Sequence, residues 1–183
     1  ICTALSNEKY VVSANKEVIS KHKKVFFNLA KENNVDIYFE ASVGGGIPII
    51  RSLKVGLAAN RINHIAGILN GTTNYILTKI EEEKESFNTI LKNAQKAGFA
   101  EANPSMDIDG IDAAHKLVIL TAVAFKADVQ LSDIYVKGIR HITLTDIEHA
   151  HTLGYKIKLL ALGSRSSSNT ISLRVHPTLI PKE

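Results

Sequence analysis

Between residues 98 and 116 the sequence gathers four carboxylates, Glu101, Asp107, Asp109 and Asp112, and closes on Lys116. Asp112 and Lys116 are four residues apart, which on a helix places them one turn apart on a single face. The run that follows, 117–125, is apolar nearly all the way round, the mark of a buried helix. At about 100° per residue, Ile119 and Val123 fall close to the face of Lys116. An ammonium set among them needs a partner and loses affinity for its proton through desolvation, which suits a lysine to proton transfer near neutral pH. The same spacing also describes a routine structural pair, with Asp109 as N-cap and Asp112 completing a capping-box-like pattern. Capping does not account for the surplus of acid. Crowded carboxylates repel one another unless a cation, a metal or a cationic substrate sits among them.

A second candidate is Ser42-Val43-Gly44-Gly45-Gly46-Ile47-Pro48, between an expected strand and an expected helix. Three glycines allow positive φ and close approach to the backbone. Neither phosphate-loop signature is present. Exposed carbonyls beside Glu40 suit a hard cation, although a plain strand-to-helix turn reads the same way. The seven histidines show no zinc-ligand spacing, and His141, His149 and His151 read as surface residues. His115 reads as structural. No residues pair as a covalent nucleophile and its base.

The elements that position these groups follow from periodicity. Residues 9–14 read as a short buried strand, 17–33 as an amphipathic helix and 35–41 as a second strand. Such a unit is parallel, and Lys16 falls at its first strand's end, where open α/β sheets bind ligands. The helical face is expected to carry Ile19, His22, Phe26, Leu29 and Ala30. Pro48 starts a helix over 49–57, and 61–69 alternates as a strand. Thr72 and Thr73 are plausible caps of a helix from Asn74 to about Glu83. Ser86 caps another helix to Ala97, with Gly98 as its C-cap. Short helices open near Leu131 and Leu144. Residues 156–163 and 170–176 form an antiparallel hairpin, which Pro177 and Pro181 bring to an end.

At 183 residues, 45% apolar and 22% charged, the composition is that of an ordinary globular protein of one domain, or one domain and part of another. No apolar run is long enough to span a membrane. A net charge of +4 without a basic stripe gives no nucleic-acid signature. The single cysteine, Cys2, excludes an internal disulfide and fits a reducing cytoplasm. The start Ile-Cys-Thr-Ala suggests a fragment.

Four motifs, in order, resemble the homoserine dehydrogenase family. They are Val-Val-Ser-Ala-Asn-Lys at 11–16, Phe-Glu-Ala-Ser-Val-Gly-Gly-Gly-Ile-Pro-Ile-Ile at 39–50, Gly-Ile-Leu-Asn-Gly-Thr-Thr-Asn-Tyr-Ile-Leu at 67–77, and the acidic stretch 98–116. The resemblance implies NAD(P)-dependent interconversion of L-aspartate 4-semialdehyde and L-homoserine, in threonine and methionine biosynthesis. By position, Lys116 matches the catalytic proton donor and Lys16 a second active-site lysine near the cofactor. Glu101, Asp112, Asp107 and Thr72 match substrate-binding positions, and Gly98 a backbone position beside the nucleotide. Glu40, with Val43, Gly45 and Ile47, matches a monovalent-cation (sodium) site. Asn103 and Phe99 depart from the family's frequent Asp and Tyr.

The resemblance further implies a partial Rossmann βαβ start followed by an α+β catalytic domain. Residues 1–36 would be the remnant of the dinucleotide-binding domain. Residues 37–183 would form the catalytic and dimerisation domain, a mixed or antiparallel sheet covered by helices, in a homodimer. The Gly-rich cofactor loop lies upstream in the family, so the fragment alone is expected to turn over little or not at all. Two other readings are a non-catalytic assembly module with a structural acid–lysine pair, and a semialdehyde dehydrogenase, for which Cys2 is badly placed as nucleophile.

Overall fold

A short helix that periodicity does not announce, α1 (Cys2–Ser6), precedes the first strand, β1 (Val11–Val12). The expected amphipathic helix forms as α2 (Lys16–Glu32). Asn15 starts it: its side-chain oxygen accepts the Val18 N–H at 3.0 Å, filling one of the donors that every helix start leaves open. Lys16 is therefore the first residue of a helix rather than the end of a strand. Ile19, Phe26 and Ala30 are buried as expected, but His22 is exposed and Lys23 takes the inner position at 2% exposure. Asp128, at 3.2 Å, and the carbonyls of Ser20 and Val129 satisfy that ammonium, as a buried charge requires. β2 (Ile37–Tyr38) pairs with β1 in parallel, Val11 opposite Ile37 and Val12 opposite Tyr38. Both strands are shorter than the pattern suggests. β1 is also not buried, with Tyr10 and Val12 exposed, since β2 is its one strand neighbour among the described residues.

The computed structural model describes residues 1–182 and falls into two compact units interleaved along the chain. The first comprises Ile1–His64, His115–Asp133 and Gly163–Ile171. It adds to the βαβ unit the glycine turn, α3 (Ile49–Arg51) and a wide turn over Ser52–Gly56.

The second unit comprises Ile65–Ala114, Ile134–Leu162 and Ser172–Glu183. Its helices α4 (Gly71–Glu83), α5 (Phe87–Lys96), α6 (Ser105–Ile108) and α8 (Leu144–Thr152) accompany a four-stranded sheet. Between α6 and α8 lies α7 (Ile111–Ala124), the long apolar helix expected after the acidic stretch. The sheet order is β3 (His64–Gly67), β5 (Tyr155–Arg165), β6 (Ile171–Pro181), β4 (Tyr135–Val136). β5 and β6 form the expected hairpin, joined by a short polar turn, while β4 pairs with β6 in parallel. The sheet is thus mixed, as expected. Pro177 and Pro181 lie inside β6 rather than ending it. Among the described residues β4 pairs with β6 only as far as Val175, so beyond it one flank of β6 shows no ladder for a proline to interrupt. Asn74, 8% exposed, fixes α4 to β5 by exchanging two hydrogen bonds with the Leu159 backbone, at 3.0 and 3.2 Å.

Gly138 marks the tightest approach in this unit. A Cβ there would lie 2.2 Å from the Ile108 carbonyl oxygen and 2.5 Å from the Asp109 Cα, both rigid backbone. Gly138→Ala is expected to destabilise by about 2 kcal/mol or more, read as a lower midpoint in denaturant at unchanged slope.

Candidate active site

The acidic stretch folds around a residue assigned only to a turn by pattern. Asn70, not Thr72 or Thr73, caps α4, and the helix starts at Gly71 rather than Asn74. The Asn70 side-chain oxygen accepts from the Thr73 N–H and from the Thr73 hydroxyl, both at 2.9 Å. Its amide nitrogen donates to Asp107 Oδ1 at 2.6 Å and to Asp112 Oδ2 at 2.9 Å. Asn70 and Asp112 are 5% and 3% exposed, and Asp107 is half-buried. Two of the predicted carboxylates are therefore side by side, joined by a neutral donor. No charge or periodicity pattern selects Asn70. The one signal available is an Asn-Gly-Thr-Thr sequence at a helix start, which announces a cap and nothing more.

Gly98 ends α5 at φ +78°, with Gly98 N–H donating to Gln95 O and Phe99 N–H to Ala94 O. This pair of bonds is the Schellman arrangement, and a glycine suits its left-handed position. The turn brings Phe99 beside Tyr75, ring centroids 4.4 Å apart, and places the Phe99 carbonyl 3.1 Å from the Thr72 hydroxyl, which donates to it. Thr72 thus has a structural bond, though not a cap. Glu101 is exposed, and its backbone is held by Gln95 Nε2 donating to the Glu101 carbonyl at 3.0 Å.

Asp109 departs from expectation. It is not the N-cap of α7, a position taken by Gly110 at φ +83°, whose carbonyl accepts the Ala114 N–H. A side chain at Gly110 would press on Val136 and Val175. Asp109 instead takes both branches of the Arg140 guanidinium, one bond at 2.9 Å, while the same guanidinium donates to Ser105 Oγ. Hydrogen bonding to Arg140 holds the Asp109 carboxyl below its ordinary range. A depressed folded-state value contributes stability above the unfolded-state range, lost as pH falls through the folded value. The pair is more than a third exposed, so solvent screening keeps the effect small. Arg140→Ala should lower the melting temperature slightly at neutral pH, and the gap should close in acid, measured by paired thermal scans.

In the first unit, Lys16 is half-buried at the start of α2, and Lys116 is half-buried on α7. One turn of that helix separates Lys116 from Asp112. Ile119 is buried and Val123 half-buried, so the Lys116 face is apolar as read. His115 is buried at 3% exposure with Nδ1 2.7 Å from Ser20 Oγ, fastening α7 to α2, a structural role as expected.

Glu40 uses both carboxylate oxygens on the start of α3, accepting Ile50 N–H at 2.7 Å and Arg51 N–H at 2.8 Å. Gly44 and Gly45 adopt φ +78° and +60°. Val43 is buried, and Gly45 and Ile47 are exposed. Among the described residues no group of three or more His, Cys, Asp or Glu side chains is placed to hold a metal. Any cation on this turn would rely on backbone oxygens.

Two cavities are lined by other residues. One of about 520 Å³ in the first unit is walled by Phe27, Phe39 and Leu57. One of about 570 Å³ in the second is walled by Tyr135, His176 and Leu179. Neither includes a lysine or carboxylate predicted to act.

A family model described as homoserine dehydrogenase matches residues 48–183. The homoserine dehydrogenase of Neisseria gonorrhoeae is 48% identical over 182 residues, covering 100% of this chain and 42% of that protein. That of Bacillus subtilis is 49% identical over 178 residues, covering 97% of this chain and 41% of that protein. A crystal structure of a homoserine dehydrogenase from Thiobacillus denitrificans matches with a TM-score of 0.95 and 49% identity, over 98% of this chain and 42% of that one. A hyperthermophilic archaeal homoserine dehydrogenase in complex with NADPH matches with a TM-score of 0.85 and 31% identity, over 100% of this chain and 52% of that one. The chain thus spans about 42% of the length of the curated relatives it matches.

Proposed function

Because the chain belongs to the homoserine dehydrogenase family, we propose that it supplies the catalytic portion of an enzyme interconverting L-aspartate 4-semialdehyde and L-homoserine. The observation that carries this reading is helix α7. It bears a buried carboxylate, Asp112, bridged through Asn70 to Asp107, and one turn later the half-buried Lys116. Homoserine carries an ammonium, the charge such paired carboxylates need. Asp112, Asp107 and Glu101 hold that amino acid, with Thr72 lining the same turn, and Lys116 gives its proton to the aldehyde oxygen as the alcohol forms.

The nicotinamide cofactor, NADP or NAD, supplies the hydride. Lys16 fits its phosphates, being a cation at the start of a 17-residue helix whose N-terminus itself favours anions. Gly98 fits a close backbone approach, since it is exposed and an added Cβ would meet nothing within 4 Å. In the complete enzyme, residues 1–36 close the Rossmann-type cofactor domain and 37–183 form the catalytic and dimerisation domain. The parallel β1–α2–β2 unit supports a Rossmann-type start, though its second strand, Ile37–Tyr38, lies just past that boundary. A sodium ion would rest on the backbone of Val43, Gly45 and Ile47 beside Glu40, an oxygen-only set that suits a hard cation. The sheet face opposite the buried Leu159 and Ala161 presents Leu160 and Leu162, half-buried, and supports a homodimer.

The test is a nucleotide absorbance assay on the complete enzyme with L-homoserine. Homoserine-dependent reduction of NADP or NAD, which this chain alone supports little or not at all, is the expected result. No homoserine-dependent turnover with either nucleotide would overturn the reading.

A further inference from the structure

We propose that Asn70 is a positioning residue for the amino-acid substrate, setting Asp107 and Asp112 at the spacing that receives one ammonium; the inference rests on the function proposed above.

Capping α4 needs only an oxygen, and serine, threonine or aspartate provides one as well as asparagine does. What the cap does not need is the amide nitrogen, and here that nitrogen is fully used. It donates to Asp107 at 2.6 Å and to Asp112 at 2.9 Å, from a residue only 5% exposed. The amide orientation is settled by its neighbours. Turned over, its oxygen would face two carboxylates and its NH2 would face the Thr73 N–H, which already donates to the cap oxygen. The cap and the bridge therefore lock each other. Asp107 belongs to α6 and Asp112 to α7, so the amide also fixes the spacing of two separate helices.

The choice of an amide matters chemically. A lysine or arginine at this point would hold two carboxylates together but cancel one of their two charges, weakening the pull on a substrate cation. An amide holds them while adding no charge of its own. The pair keeps its attraction for an ammonium, and its geometry is set before the substrate arrives.

The test uses the complete enzyme. Asn70→Ser keeps a cap oxygen and loses both amide N–H donors, leaving a shorter hydroxyl in their place. The expected result is a KM for L-homoserine raised about 10- to 100-fold, with kcat changed less than about threefold. A purely capping role predicts no change in KM, and that outcome would overturn the proposal. Asn70→Asp keeps the cap and the size but sets a third carboxylate against two others. Its melting temperature should fall by about 5 °C or more, and adding Asp107→Asn should recover most of the loss. A melting temperature unchanged in Asn70→Asp, or not recovered in the double variant, would also overturn it. The thermal cycle needs no substrate. Absence of homoserine turnover in the unmodified enzyme would therefore remove the proposed function, while the cycle still decides whether Asn70 bridges.

Discussion

Replacing Lys116 by alanine in the complete enzyme should lower kcat for homoserine oxidation by about a thousandfold, with KM changed far less. A positioned acid or base contributes about 10²- to 10⁴-fold, and the alcohol–aldehyde interconversion needs one at the oxygen. The fold should tolerate the loss. Lys116 is only half-buried, and the packing of α7 rests on Leu117, Val118 and Leu120, which are buried. Lys116→Arg is the sharper comparison. It keeps the charge but offers a planar group that scarcely gives up its proton, so kcat should stay depressed while substrate affinity survives. Steady-state kinetics of the three forms checks this. Recovery of kcat in Lys116→Arg would assign Lys116 an electrostatic role rather than proton transfer.

Asp112→Ala should raise KM for L-homoserine by about a hundredfold or more and also destabilise the protein by about 2–3 kcal/mol. Both effects come from one atom set. Asp112 is 3% exposed and accepts an Asn70 donor, so its removal takes away a carboxylate offered to the substrate and leaves a buried N–H unsatisfied. It also removes the acid from the first turn of α7, where negative charge complements the helix dipole. Asp112→Asn separates the two contributions. The amide preserves shape and can still accept from Asn70, so stability should fall less than in the alanine variant, whereas KM should rise nearly as far. Denaturant melts beside kinetics read both numbers. Equal KM values for wild type and Asp112→Asn would remove Asp112 from substrate binding.

What the sequence could reveal depended on how local each cause was. Helix α7 was legible because its apolar run and acidic start are contained within about four turns of one helix. α2, α5 and the β5–β6 hairpin were legible for the same reason. Ser86 was readable as a helix start because capping is decided within three residues. Asp109 was misread because its true partner, Arg140, lies 31 residues away, and no local rule connects them. Gly110 then took the cap that Asp109 left. Lys23 displaced His22 from the inner face of α2 because Asp128, 105 positions on, supplies a counter-charge that periodicity cannot see. Asn70 was the largest omission at the site. Its capping half is local, but its bridging half depends on Asp107 and Asp112, which only the tertiary fold brings to it. Pro177 misled because proline breaks a strand where both flanks are paired, and among the described residues one flank there is not.

The most direct test is a calorimetric titration of L-homoserine into this chain, wild type beside Glu101→Ala and Asp112→Ala. Weak, saturable binding by the wild type, weaker in each variant, is the predicted result. Absence of binding to the wild type at millimolar homoserine, or identical binding in all three proteins, would contradict the account.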